Sequence, residues 1–188
     1  MAVLPIRIWG DPVLHAPASP IDEVTDEVRT LVADMYETMD LAPGVGLAAP
    51  QVGEGLRLYV YNYEDDEGNP WRGEILNPEL FMTPPEPGQP DEDTESEGCL
   101  SFPGERFALR RSDRVIVTGT DLEGEEVRID VDGWRARIMQ HEFDHLDGIV
   151  YIDRISDADW KTAQKISKKR GWGKPGAAWT PGIDDLEG

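Results

Sequence analysis

Two of the three histidines in the chain, His141 and His145, stand four residues apart, with Glu142 directly after the first. On a helix that spacing sets both imidazoles one turn apart on one face, so they can reach a single metal ion while the carboxylate stands beside it. This is the H-E-x-x-H arrangement of a water-activating metal centre. Two ligands do not hold a catalytic metal, so the chain must supply a third.

Three sources compete for that ligand. An extended H-E-x-x-H-x-x-G-x-x-H pattern continues correctly through Gly148, but Tyr151 occupies the place of the third histidine and no later histidine exists. A downstream carboxylate, Asp157 or Asp159, would give a protease-like site. The single cysteine, Cys99, in EGCLSFPG, is the only soft ligand on offer and would have to arrive from a neighbouring strand. A second unusual stretch is GVGLAAPQVG, residues 44–53. Gly44 and Gly46 permit close approach of main chain to another group, and Gln51 is the one polar side chain in the apolar run, an amide donor that could face a cleft.

The elements that must position these groups follow from periodicity. Val24, Val28, Leu31, Val32, Met35 and Met39 recur at helical spacing behind Asp22, Glu23, Asp26 and Glu27, so the sequence predicts a helix over about 24–40. Residues 56–62 alternate as a strand, a second follows near 74–76, and the runs around LEG read as a hairpin over about 114–131. Asp132 and Gly133 lead into the histidine helix, where Trp134, Ile138, His141 and His145 share a face that would line a pocket for an apolar side chain. Gly148 ends that helix, IVYI reads as a short strand, and another helix is expected over about 156–170. Residues 84–97, PPEPGQPDEDTESE, would bury almost nothing and read as a mobile surface spacer. His15, in the proline-rich arm of residues 1–21, has no ligand spacing around it and reads as a hydrogen-bonded structural histidine.

Composition narrows the setting. At 188 residues the chain suits one domain with a core of ordinary size. A formal net charge of −20 disfavours broad contact with phosphate backbones, although Lys161, Lys165, Lys168, Lys169 and Arg170 form a basic island. No apolar run reaches membrane-span length and no leader pattern opens the chain, so a soluble, cytoplasmic protein is expected. One cysteine excludes an internal disulfide and fits a reducing compartment.

With GVGLAAPQ, EGCLS and QHEFDHLDG all in view and in that order, the chain resembles the peptide deformylase family from its N-terminal arm to about residue 155. The resemblance implies an α+β fold in which strands surround a central helix carrying H-E-x-x-H, with an N-terminal and a C-terminal helix. It implies one domain over residues 1–170, followed by an irregular tail over 171–188 that is too rich in Gly and Pro for regular structure. It implies Cys99, His141 and His145 as ligands of one divalent ion, iron(II) in the cell, with zinc(II), nickel(II) or cobalt(II) as substitutes. The implied reaction removes the N-formyl group from the initiator methionine of N-formylmethionyl nascent peptides. Glu142 would move protons, while the Gln51 amide and the Leu100 backbone N–H would face the oxyanion. Gly44, Val45 and Gly46 would pair with the substrate backbone as an added strand. Ile138 and Arg137 would border the methionine pocket, Arg137 standing where many relatives carry an apolar residue. Arg106 would pair with Glu97 behind the ligands. Relatives act on chains leaving the ribosome, and in some a C-terminal helix docks there, so the basic island is expected to make that contact.

Overall fold

A computed structural model of the chain describes residues 2–184 and 186. In chain order the elements are β1 (Ile6–Arg7), α1 (Asp26–Leu41), β2 (Gly46–Ala48), β3 (Leu58–Glu64), β4 (Pro70–Met82), β5 (Ser96–Cys99), β6 (Phe102–Ala108), β7 (Arg114–Thr120), β8 (Glu126–Asp132), α2 (Gly133–Leu146), α3 (Asp157–Arg170) and β9 (Ala178–Trp179). Helices and sheets are mixed. Among the described residues, no helix is long and apolar enough to cross a membrane.

Each helix starts where its sequence supplies a cap. Thr25 Oγ1 accepts from Val28 N–H at the head of α1, with Asp26 and Glu27 facing the positive end of the helix dipole. Val28, Val32, Met35 and Met39 then form the buried stripe, close to the bounds expected from periodicity. At α3, Ser156 Oγ accepts from Asp159 N–H, and Gly171 closes the helix in the left-handed conformation.

Five strands make one antiparallel sheet in the order β2-β3-β4-β7-β8. Helix α2 packs against all five. Ile138, Met139 and Leu146 from the helix bury with Tyr59, Tyr61, Ile75, Val115 and Val117 from the sheet. Side chains of this size each contribute roughly 1.5–3 kcal/mol when buried, so the sheet fixes the rotation of α2 and hence the direction of its histidines. Gly148, φ +75°, lies under the N-terminal arm: a Cβ there would stand 2.8 Å from Ala16 N and 2.9 Å from His15 C. Strands β5 and β6 form a separate pair, and β1 pairs with β9.

Three expectations need correction. IVYI does not extend; residues Tyr151–Asp153 form a 3₁₀ turn, because Asp153 Oδ2 accepts from Val150 N–H at 2.9 Å and satisfies the backbone locally. The tail is not wholly irregular: Ala178 and Trp179 pair with Arg7 and Ile6, and Trp179 is buried in the main core. The acidic segment is anchored at its far end, where the Arg110 guanidinium donates to Glu95 at 2.7 Å and to Gln89 O at 2.8 Å.

Candidate metal centre and its cleft

Cys99 ends β5, while His141 and His145 project from α2 toward it. Cys99 Sγ lies 3.3 Å from His145 Nε2, and the three ligating atoms all fall within 4.8 Å of one another. A tetrahedral ion with metal–sulfur bonds of about 2.3 Å and metal–nitrogen bonds of about 2.0–2.1 Å needs its ligands about 3.3–3.6 Å apart. The Cys99–His145 separation meets that requirement, and a thiolate with two imidazoles suits a borderline-soft divalent ion. The electrostatics agree. Burial disfavours a protonated His141, yet the Cys99 sulfur and the Glu97 carboxylate prevail and raise its pKa well above the ordinary value. The site favours positive charge at this point. Asp157 and Asp159 sit instead in the first turn of α3, where Asp159 N–H donates to the Ser156 cap.

Behind the ligands runs a chain of ion pairs. His141 Nδ1 lies 3.0 Å from Glu97 Oε2, which fixes the ring and turns Nε2 inward. Glu97 is forked by Arg111, with both contacts at 2.9 Å, and also receives Arg137 Nη1 at 2.6 Å. Arg111 continues to Asp144 at 2.6 Å, and Arg154 closes on Asp144 with two bonds of 2.7 Å. Burial pushes the Glu97 carboxyl up, but Arg111 and His141 outweigh it and hold it well below the usual carboxylate range.

Arg106 is not the partner of Glu97. In the β5–β6 register Glu97 faces Phe107 and Gly98 faces Arg106, so the Arg106 side chain leaves on the opposite face, where it donates to Ser96 O at 2.8 Å. Arg111, past the end of β6, makes the contact expected of Arg106. Arg137 lines the cleft as expected, but its guanidinium is committed to Glu97 and, at 2.6 Å, to Leu109 O.

The cleft has a volume of about 390 Å³. Gly44, Val45, Gly46, Gln51, Cys99, Leu100, Trp134, Ile138, His141 and Glu142 all line it. Gln51 Oε1 accepts from Ala48 N–H at 2.8 Å, and its Nε2 points to Ser101 Oγ at 3.3 Å and Cys99 Sγ at 3.6 Å. On the β2 side, the Val45 carbonyl accepts from Asn62 N–H at 2.9 Å and is spent on β3. By the alternation of an antiparallel ladder, Gly46 turns its N–H and C=O the other way, to the open edge. Gly46 also adjoins Glu142: a Cβ there would stand 2.6 Å from Glu142 Cδ and 2.8 Å from Cγ. Burial pushes Glu142 up to about 7, His141 pulling it down and Glu97 adding to the rise. Its Oε2 is buried without a hydrogen-bond partner. A carboxyl so placed can hold or release a proton near neutrality.

Sequence reasoning passed over Arg111, Asp144 and Arg154. Asp144 carried a signal, because it lies between the two histidines on the same helix. The others come from segments with no periodicity to read.

The sequence model described as polypeptide deformylase matches residues 3–161. Peptide deformylases of Rhodococcus opacus and Mycobacterium marinum are each 48% identical to the chain, covering 97% of it and 95% and 96% of their own lengths. The crystal structure of peptide deformylase from Ehrlichia chaffeensis superposes with a TM-score of 0.80 at 34% identity, covering 90% of this chain and 97% of that one. Motifs, ligand geometry and near full-length similarity lead to one conclusion: the chain belongs to the polypeptide deformylase family.

Proposed function

We propose that the protein hydrolyses the N-terminal formamide of nascent polypeptides, releasing formate and a free methionyl amine. The observation that carries this reading is the gathering of Cys99, His141 and His145 beside a buried, unpartnered carboxylate oxygen on Glu142, with Cys99, His141 and Glu142 lining one cleft. A purely structural metal site would fill its coordination with a fourth protein ligand, and among the described residues only Cys99, His141 and His145 gather.

A divalent ion held by these three residues would supply Lewis acidity, lowering the pKa of a water toward neutrality and polarising the formyl carbonyl. Glu142 takes the proton of the attacking water and passes it to the leaving amine, serving as base and then as acid. Negative charge that develops on the formyl oxygen is met by Gln51 Nε2 and Leu100 N–H. Gly46 offers its outward main chain to the peptide, which adds as a strand at the edge of β2. Ile138 and Trp134 receive the methionine side chain, and Arg137 narrows that pocket with its stem, its charge being held by Glu97.

The mixed sulfur and nitrogen donor set suits iron(II), with zinc(II), nickel(II) or cobalt(II) as working substitutes. A free cysteine among the ligands points to a reducing compartment, the cytoplasm. Lys161, Lys165, Lys168 and Lys169 are exposed on α3 and remain candidates for ribosome contact. Arg170 is withdrawn from that set, since it binds Glu105 at 2.9 Å and Pro103 O at 3.3 Å.

The test is formate release from a formyl-methionyl tripeptide by protein purified anaerobically, with metal analysis of the same sample. Turnover proportional to bound metal is expected. Metal-loaded protein that releases no formate would refute the hydrolase reading.

A further inference from the structure

The Leu100 carbonyl and the Ser101 N–H belong to one peptide plane, and both of its ends are engaged. Ser101 N–H donates to Cys99 Sγ at 3.4 Å. The Leu100 carbonyl accepts from Trp179 Nε1 at 2.8 Å, a buried bond. One residue on, the Ser101 carbonyl accepts from Trp9 N–H at 2.7 Å. Trp179 is 3% exposed, packs in the core that contains Leu100 and Leu47, and is held by the pairing of β9 with β1. It also lies beyond residue 161, where the match to the family's sequence model ends.

We propose that Trp179 is a positioning residue for the active site, acting through the Leu100–Ser101 peptide. This rests on the reading of Cys99 as a metal ligand and of Leu100 N–H as a donor to the substrate oxygen. A hydrogen bond to a carbonyl polarises the N–H of the same peptide, and so strengthens what that N–H donates to. Here the recipient is the Cys99 sulfur, which as a thiolate accepts a charge-assisted bond. Fixing this plane also fixes the direction of the plane before it, which carries Leu100 N–H into the cleft. The indole thus acts on a ligand and an oxyanion donor without touching either. A core-filling tryptophan would satisfy its buried N–H on any nearby acceptor; here the acceptor is the carbonyl of the peptide whose N–H serves Cys99.

The test uses the full-length chain loaded with one metal. Trp179→Phe keeps an aromatic ring in the core and removes the donor. Ile6→Val, at the residue paired with Trp179, removes a buried methyl from the same core and serves as the control. Three quantities are read: the rate of metal release to a chelator, kcat and KM for a formyl-methionyl tripeptide, and Tm. Groups that support a ligand typically alter metal affinity 10–100-fold. Trp179→Phe should therefore release metal about ten-fold faster and lose about ten-fold in kcat, with KM within about two-fold. Ile6→Val should match the parent in metal release and kcat. If Trp179→Phe matches Ile6→Val in both, the ring is core filler and the proposal falls. Should Trp179→Phe fail to fold, benzothienylalanine at position 179 keeps the bicyclic shape and replaces the N–H with sulfur, and the same outcomes decide. A parent protein that binds metal but releases no formate would refute the functional reading instead, while the metal-release comparison would still judge the tether.

Discussion

Gly46→Ala is expected to damage catalysis through Glu142 rather than through the fold. The new methyl would stand 2.6 Å from Glu142 Cδ and 2.8 Å from Cγ, whereas carbon atoms rest about 3.5–4.0 Å apart. The carboxylate must retreat by about 1 Å, and a misplacement of that size costs on the order of 10²-fold in rate, or about 2.7 kcal/mol. The methyl points at Glu142, not along the open edge of β2, so kcat should fall while KM changes little. Steady-state formate release gives both constants. A double-mutant cycle isolates the cause: added to Glu142→Gln, the Gly46 change should cost almost nothing further, because the group it displaces has already lost its task. A kcat within about three-fold of the parent would refute the reasoning. So would a second 10²-fold loss in the Glu142→Gln background.

Further outcomes follow from the same geometry. Glu142→Gln should keep its metal and lose about 10²–10⁴-fold in turnover, whereas Cys99→Ala should lose the metal itself, as metal analysis of the purified variants will show. Arg111→Ala leaves buried Glu97 to Arg137 and His141, and Asp144 to Arg154, and should cost about 1–3 kcal/mol in urea unfolding, while Arg106→Ala, at an exposed position, should cost under about 1 kcal/mol. Deleting residues 84–90 should leave Tm and tripeptide turnover nearly unchanged, whereas extending the deletion through Glu95 removes the partner of Arg110 and should lower Tm by several degrees. Reversing Lys165, Lys168 and Lys169 to glutamate should weaken ribosome co-sedimentation and flatten its salt dependence, without altering tripeptide turnover; unchanged binding at low salt would leave α3 a solvated helix.

The candidate metal ligands were legible because their chemistry is local in sequence: two histidines one helical turn apart and a lone cysteine framed by Gly98 and Leu100. Helix α1 was legible from its apolar period, and the β7–β8 hairpin from alternation. What defeated sequence reading was register. Arg106 and Arg111 are indistinguishable as text, and only the pairing of Glu97 with Phe107 decides which arginine returns to the ligands. The IVYI run carried the composition of a strand, but a single side chain, Asp153, bound the backbone first. A two-residue strand such as β9 is too short to show a period, so nothing in the text tied Trp179 to the Leu100 carbonyl. Val45 likewise could not be separated from Gly46 until the ladder with β3 set which of them faces outward.

The pairing of Ile6 with Trp179 also has a meaning in time. Nearly the whole chain separates the two partners, and contacts so distant in sequence form late, after local elements have condensed. During synthesis, at about 5–20 residues per second, Cys99, His141 and His145 all leave the ribosome before β9 does. The ligands can therefore gather around a metal before the Leu100 carbonyl has found its indole. If the Trp179 tether acts as proposed, cation capture comes first and full turnover only when the last strand docks. Chains truncated before residue 178 should hold metal loosely and work slowly, whereas full-length chains with β9 paired to β1 should do neither.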